Sequence, residues 1–129
     1  MGDLMPTDAP RKKVMIVDND HEMRELVKKI LFSKGFDVIE IENGKDCLTR
    51  IHEEKPCLVL LNRRMSDMDG WEVLKRIKGD EQLKSIKVAM LTSVNPSTDD
   101  IMREEFDMLD DYVLKPNIGF KGPKKNSRR

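Results

Sequence analysis

Six polar residues stand at or just beyond the carboxyl ends of apolar runs. Asp18, Asn19 and Asp20 follow Val14-Met15-Ile16-Val17, Asn62 ends Cys57-Leu58-Val59-Leu60-Leu61, Thr92 follows Met90-Leu91, and Lys115 follows Val113-Leu114. Groups in such places are free to bind or react instead of filling a core. Asn62 sets the limit on that chemistry. A carboxylate there would be an anionic nucleophile, whereas a carboxamide carries no full charge.

The elements that must position these residues follow from periodicity. Residues 1–10 have no periodicity and two prolines, which reads as a disordered leader. Residues 13–18 form a short apolar strand of the kind buried on both faces of a parallel sheet. Asp20 is placed to cap a helix in which Met23, Leu26, Val27, Ile30 and Leu31 recur at helical spacing, stopping at Lys34-Gly35. Residues 36–42 alternate as a strand nearer the sheet edge would, Asn43-Gly44 turns the chain into a helix over 45–54, and Pro56 leads into a third strand ending at Asn62. Asp67 and Asp69 read as solvated turn residues and a cap for a third helix over 70–78, with Val73, Leu74 and Ile77 inward. A fourth strand over 86–91, a turn and cap at 95–98, a fourth helix from Asp99 to Met108 and a fifth strand over 111–114 complete the pattern. Strict alternation of strand and helix predicts an α/β domain with a doubly wound, five-stranded parallel sheet. In such a sheet the strand carboxyl ends meet at one crevice, and the six polar positions meet with them.

Composition narrows the functional classes. A chain of 129 residues that is 38% hydrophobic supports one core, here expected over 11–116 between the leader and a tail at 117–129. Basic and acidic residues number 24 each, so the overall balance points to no polyanion or membrane surface, although 117–129 carries five basic residues and no acid. No apolar stretch reaches membrane-spanning length, and 1–10 lacks the apolar centre of a secretion signal, so a cytoplasmic location is expected. Cys47 and Cys57 have neither Cys-x-x-Cys spacing nor a histidine at ligand distance and read as small buried hydrophobes. His21 and His52 fall among charged residues on helix surfaces and read as solvated.

Four motifs stand in a telling order: V-D-N-D at 17–20, LVLLN-RR-MSDMDG at 58–70, M-L-T-S at 90–93 and D-D-Y-V-L-K-P at 110–116. From Lys12 to Pro116 the chain resembles the receiver domains of response regulators. That resemblance implies a CheY-like, flavodoxin-like sheet of strand order 2-1-3-4-5 and a place in two-component phosphorelay signalling. It also implies a pair of acids after strand one that hold Mg2+, an Asp acceptor after strand three, a Thr or Ser that bonds the phosphoryl oxygen, and a Lys that pairs with it. Asp18 matches the first acid, but Asn19 falls on the second and Asn62 on the acceptor. Mg2+ is held chiefly by carboxylates and phosphate oxygens, so its binding is expected to be weak or absent and no cofactor is expected. Asp18 and Asp20 are the remaining candidate ligands, with helix capping the simpler use of Asp20.

The loss of charge leaves Asp18 and Lys115 as one anion and one cation, expected to pair. Arg64 either reaches Asp18 in place of the metal or, more simply, lies solvated in its loop. Asn62 is able to donate a hydrogen bond to Asp18 or Thr92, which an ionised Asp is not. Thr92 and Tyr112 match the family's switch. Either that two-state element survives under another bias, or the two residues persist for packing alone. Ser66 replaces the usual loop proline, which implies a less rigid loop.

After Lys115-Pro116 the family continues into an amphipathic fifth helix, yet here Gly119, Gly122 and Pro123 leave that helix absent or reduced to a turn. The sheet face beside the first helix is then expected to lack cover. The tail reads as solvated rather than as a nucleic-acid element. The resulting expectation is a non-enzymatic pseudo-receiver, a phosphorylation-independent protein-interaction module whose partner is a sensor kinase, another regulator or a second copy. Neither a membrane nor a nucleic acid is the expected partner. Two alternatives stay open: a receiver phosphorylated at a non-standard residue, and a nucleic-acid accessory using the basic tail.

Overall fold

Val14, Met15, Ile16 and Val17 are all buried, and this unbroken burial places β1 (Lys12–Val17) at the centre of the sheet, covered on both faces. The computed structural model describes residues 11–92, 102–103 and 107–114, with Thr92, Tyr112 and Leu114 described by their backbone. The remaining elements are α1 (His21–Ser33), β2 (Phe36–Ile41), α2 (Gly44–Glu54), β3 (Leu58–Asn62), α3 (Gly70–Lys78), β4 (Lys87–Thr92) and β5 (Asp111–Leu114). The five strands pair in parallel in the order β2-β1-β3-β4-β5, the flavodoxin-like α/β fold. The leader, most of the expected fourth helix, Lys115, the position of the fifth helix and the basic tail lie outside the described residues.

Alternate strand residues feed two cores, as the pleat requires. Met15, Val17, Val59, Leu61, Val88 and Met90 point to one face, where α2 and α3 contribute Cys47, Ile51, Trp71, Val73, Leu74 and Ile77. Val14, Ile16, Leu60, Ala89 and Leu91 point to the other, where α1 contributes Met23 and Val27. The caps match the sequence. The Asp20 carboxylate accepts from the N–H groups of Glu22 and Met23, Asn43 accepts from Asp46, and Asp69 accepts from Trp71. Lys75, Arg76 and Lys78 fall in the last turn of α3, where cations oppose the negative end of the helix dipole.

Two expectations fail here. Cys57 is exposed, because the strand starts at Leu58 and the buried residue ahead of it is Pro56; only Cys47 is a core thiol. Ile30 is 39% exposed, although it shares the helical stripe of buried Met23 and Val27. On the sheet face beside α1, Leu60, Ala89 and Leu91 are 7%, 2% and 1% exposed, while the segment expected to lack a fifth helix lies outside the described residues.

Candidate functional site

The topology reverses between β2 and β3 on either side of β1, and polar residues collect at the carboxyl ends of β1 and β3, the usual place for a site in this architecture. Val17 is in register with Leu61, so Asp18 and Asn62 each stand one residue beyond a paired position. Asn62 is in register with Leu91, which puts the backbone of Thr92 one step further along β4. The structure thus brings Asp18, Asn62 and Thr92 to one edge. The Tyr112 backbone lies across from Met90 in β5, and Lys115 is outside the described residues.

Asp18 is fully buried. One of its carboxylate oxygens accepts from the backbone N–H of Asp20 at 3.0 Å, its own N–H donates to the Ile41 carbonyl at 3.0 Å, and its carbonyl accepts from Arg24 Nη1 at 2.7 Å. Arg24 also donates through Nε to Glu40 at 3.2 Å, so one half-buried guanidinium ties the β1–α1 turn to β2. Sequence reading did not single out Arg24. Its signal was only that of a helix-surface arginine, and its role depends on β2 lying alongside. Asn19 is exposed, and the Asp20 carboxylate is engaged as the α1 cap.

Asn62 is 8% exposed, and its amide nitrogen donates to the carbonyl of Arg64. This bond is local, because the chain turns straight after β3 and brings the carbonyl two residues ahead within reach; the Thr92 side chain lies outside the described residues. The Arg64 side chain is exposed, in keeping with the simpler of its two readings. The loop then closes on itself: Gly70 donates to the Arg63 carbonyl at 2.7 Å, and a Cβ at position 70 would stand 2.6 Å from the Asn62 carbonyl oxygen and 2.9 Å from Arg63 Cα. Glycine is required there by backbone approach rather than by backbone angle.

Asp67 is exposed, as expected of a solvated turn residue, and it also makes a long-range contact. Its two carboxylate oxygens accept from the N–H groups of Gly44 at 3.1 Å and Lys45 at 2.9 Å, the first turn of α2. Desolvation works to raise its pKa, but the Lys45 and Gly44 N–H donors outweigh it and hold the carboxyl below the usual carboxylate range. The β3–α3 loop is therefore fastened at Asn62, at Gly70 and across to the positive end of α2. No local pattern announces this, since the partners are 23 and 22 residues apart. Among the described residues, no three of His, Cys, Asp and Glu are grouped to hold a metal ion, and no helix is long and apolar enough to cross a membrane.

A parallel sheet of this order, with polar groups at the carboxyl ends of its central strands, defines a CheY-like domain. The profile of the response regulator receiver domain matches residues 14–119, and the chain belongs to that family. It is 32% identical over 109 residues to the DNA-binding response regulator MtrA of Mycolicibacterium smegmatis, which covers 84% of this chain and 46% of that protein. The chain spans about half the length of the curated relatives it matches. Among solved structures, the N-terminal domain of a response regulator receiver protein from Methanoculleus marisnigri JR1 is 36% identical at a TM-score of 0.74, covering 81% of this chain and 84% of that one. Response regulator protein TrrA from Thermotoga maritima, in complex with Mg(2+)-BeF, is 28% identical at a TM-score of 0.72, covering 81% and 87%.

Proposed function

We propose that this receiver domain serves two-component signalling as a phosphorylation-independent protein-interaction module. The observation that carries the reading is the bond from the Asn62 carboxamide to the Arg64 carbonyl. The side chain at the end of β3 is a neutral donor turned into its own loop, where a phosphoacceptor needs an anionic oxygen facing the crevice. The donor set also suits Mg2+ poorly. It comprises one buried carboxylate, an exposed amide at Asn19, a second amide at Asn62, and an Asp20 carboxylate already spent on α1. Its partners in this account are a sensor kinase, another regulator or a second copy, and its role is binding rather than catalysis.

The earlier expectation against nucleic acid draws no support from the relatives, since the first of them is named a DNA-binding response regulator. A nucleic-acid accessory role using the basic residues of 117–129 is therefore the second reading. Truncation after Pro116 separates the two, as loss of polyanion binding with protein binding intact assigns the tail to nucleic acid.

The test of the main reading is a 1H–15N correlation spectrum recorded with millimolar Mg2+, then with beryllium fluoride added as a phosphoryl stand-in. The amide signals of Asp18, Asn62 and Arg64 are expected to stay in place. Saturable shifts at these residues would show a working metal and phosphoryl site and overturn the proposal.

A further inference from the structure

We infer that Asn43-Gly44 is a latent deamidation site guarded by Asp67, so that release of the β3–α3 loop is recorded as a permanent covalent change at the start of α2. Two separate needs fix this dipeptide. Asn43 caps α2, its side-chain oxygen accepting from Asp46 N–H at 2.8 Å. Gly44 is buried against the loop, where a Cβ would stand 2.9 Å from Val73 Cγ2 and 3.1 Å from Met68 Cβ. The same lack of a Cβ leaves the Gly44 nitrogen unhindered as a nucleophile toward the Asn43 carboxamide. Asn43 is only half-buried, so water reaches it.

Water is the only co-reactant. The Gly44 nitrogen bonds to Asn43 Cγ and gives up its proton as the Cγ–Nδ2 bond breaks, which releases ammonia and closes a five-membered imide. Water then opens one of the two imide C–N bonds within the ring. Opening at Cγ leaves aspartate, and opening at the α-carbonyl carbon leaves isoaspartate, whose chain runs through Cγ; no oxidant or reductant enters. The folded geometry holds the first step off. At a ψ of 170° the Gly44 nitrogen lies opposite the Asn43 nitrogen about the Cα–C bond, whereas the ring needs it eclipsed with Cβ. Asp67 keeps that torsion in place by accepting from Gly44 N–H at 3.1 Å and Lys45 N–H at 2.9 Å. Desolvation raises the Asp67 pKa, but the Lys45 and Gly44 donors outweigh it, and a carboxylate held below its usual range is a poor base toward the Gly44 proton. Isoaspartate would lengthen the backbone by one atom and add a carboxylate near Asp67, so the clasp would not refasten. This chemistry is independent of whether the crevice takes a phosphoryl group.

The experiment holds the full chain at mildly alkaline pH in heavy-oxygen water, folded and in parallel in urea, and maps its peptides for labelled aspartate and isoaspartate at position 43. Conversion in urea is expected to be fastest at Asn43 among the asparagines, and in the folded wild type about a hundredfold slower. Asp67→Ala is expected to quicken the folded reaction about tenfold, because two hydrogen bonds to a charged group are lost. Asp110→Asn, which removes a carboxylate at the opposite end of the sheet, should leave the rate at position 43 near that of the wild type. Asn43→Ser keeps a cap and should carry no label there. The Asp67 side chain is exposed, and circular dichroism would verify that the variant folds; if it does not, Asp67→Asn, which keeps one acceptor oxygen, takes its place with an acceleration of a few fold expected. Equal rates at Asn43 in the folded and urea-treated chain would overturn the inference. So would an unchanged or slower reaction in the Asp67 variant, or an equal acceleration in Asp110→Asn, which would assign the protection to global stability instead of the clasp.

Discussion

The carboxamide of Asn62 donates to the carbonyl of Arg64, two residues ahead in the same loop, and so the last residue of β3 fastens the β3–α3 loop. An ionised carboxylate at that position has no proton to donate and would meet the carbonyl oxygen as one acceptor meets another. It would also add a second anion beside the β1 end that carries buried Asp18. Asn62→Asp is therefore expected to lose about 1–3 kcal/mol of stability at neutral pH. Millimolar Mg2+ should restore part of that loss in the variant and change the wild type little, because only the variant gains a second carboxylate for the ion. Urea unfolding with and without Mg2+ measures both effects, and a variant as stable as the wild type in the absence of Mg2+ would remove the structural role given to this bond.

Gly70 allows the loop to close. The Cβ of an alanine would lie 2.6 Å from the Asn62 carbonyl oxygen and 2.9 Å from Arg63 Cα, both backbone atoms that cannot step aside. Gly70→Ala is expected to destabilise by about 1–3 kcal/mol through forced backbone movement. Gly35→Ala provides the comparison. It meets no atoms within 4 Å, and its penalty comes from its φ of +99° alone, about 1 kcal/mol. Thermal or urea unfolding of the two variants should rank them in that order.

Two carboxylates carry an acid-dependent part of the stability. Asp67 caps α2, and Asp110 accepts from Val88 N–H at 2.7 Å and from Lys78 Nζ at 3.1 Å, joining β4, β5 and the end of α3. In both, desolvation pushes the carboxyl up and is outweighed, by backbone donors at Asp67 and by Val88 and Lys78 at Asp110, so both sit below the ordinary range. A depressed folded pKa means that protonation favours the unfolded chain. The contribution is whole above the unfolded value of about 3.9 and is lost as pH falls through the lower folded value. Urea midpoints measured from about pH 6 down to about pH 3 should decline, and Asp67→Asn and Asp110→Asn should each flatten the decline.

The two thiols differ in the folded state. Cys47 is fully buried and burial pushes its pKa up to about 12, while Cys57 is exposed in the bend before β3. One thiol per chain should react readily with a disulfide reagent in the native protein, and the second should follow only on unfolding. Cys57→Ser should abolish the fast phase, and persistence of that phase would place the accessible thiol elsewhere.

Much of the fold was legible because its signals are local. The spans of α3 and β5 coincide with the expected 70–78 and 111–114, and β1 is displaced by one residue. Asp20 and Asp69 cap the helices that their spacing suggests. The misreadings arise where a side chain answers to distant backbone. Nothing near Asp67 marks its second role, because the α2 N-terminus it caps is more than twenty residues earlier, and nothing near Arg24 singles it out, because Glu40 comes sixteen residues later. Asn62 was placed correctly at the end of β3, but its partner depends on how sharply the chain turns there. Cys57 reads as core because an apolar run does not mark the residue at which a strand begins, and β3 begins at Leu58.

The most direct test of a receiver that does not take phosphate by the ordinary route is the intact mass of the wild type and of Asn62→Asp after incubation with Mg2+ and acetyl phosphate. The account predicts an unmodified wild type, with any phosphoryl adduct confined to the variant. A wild type that gains the mass of a phosphoryl group would contradict it, and the modified residue would then mark the true acceptor.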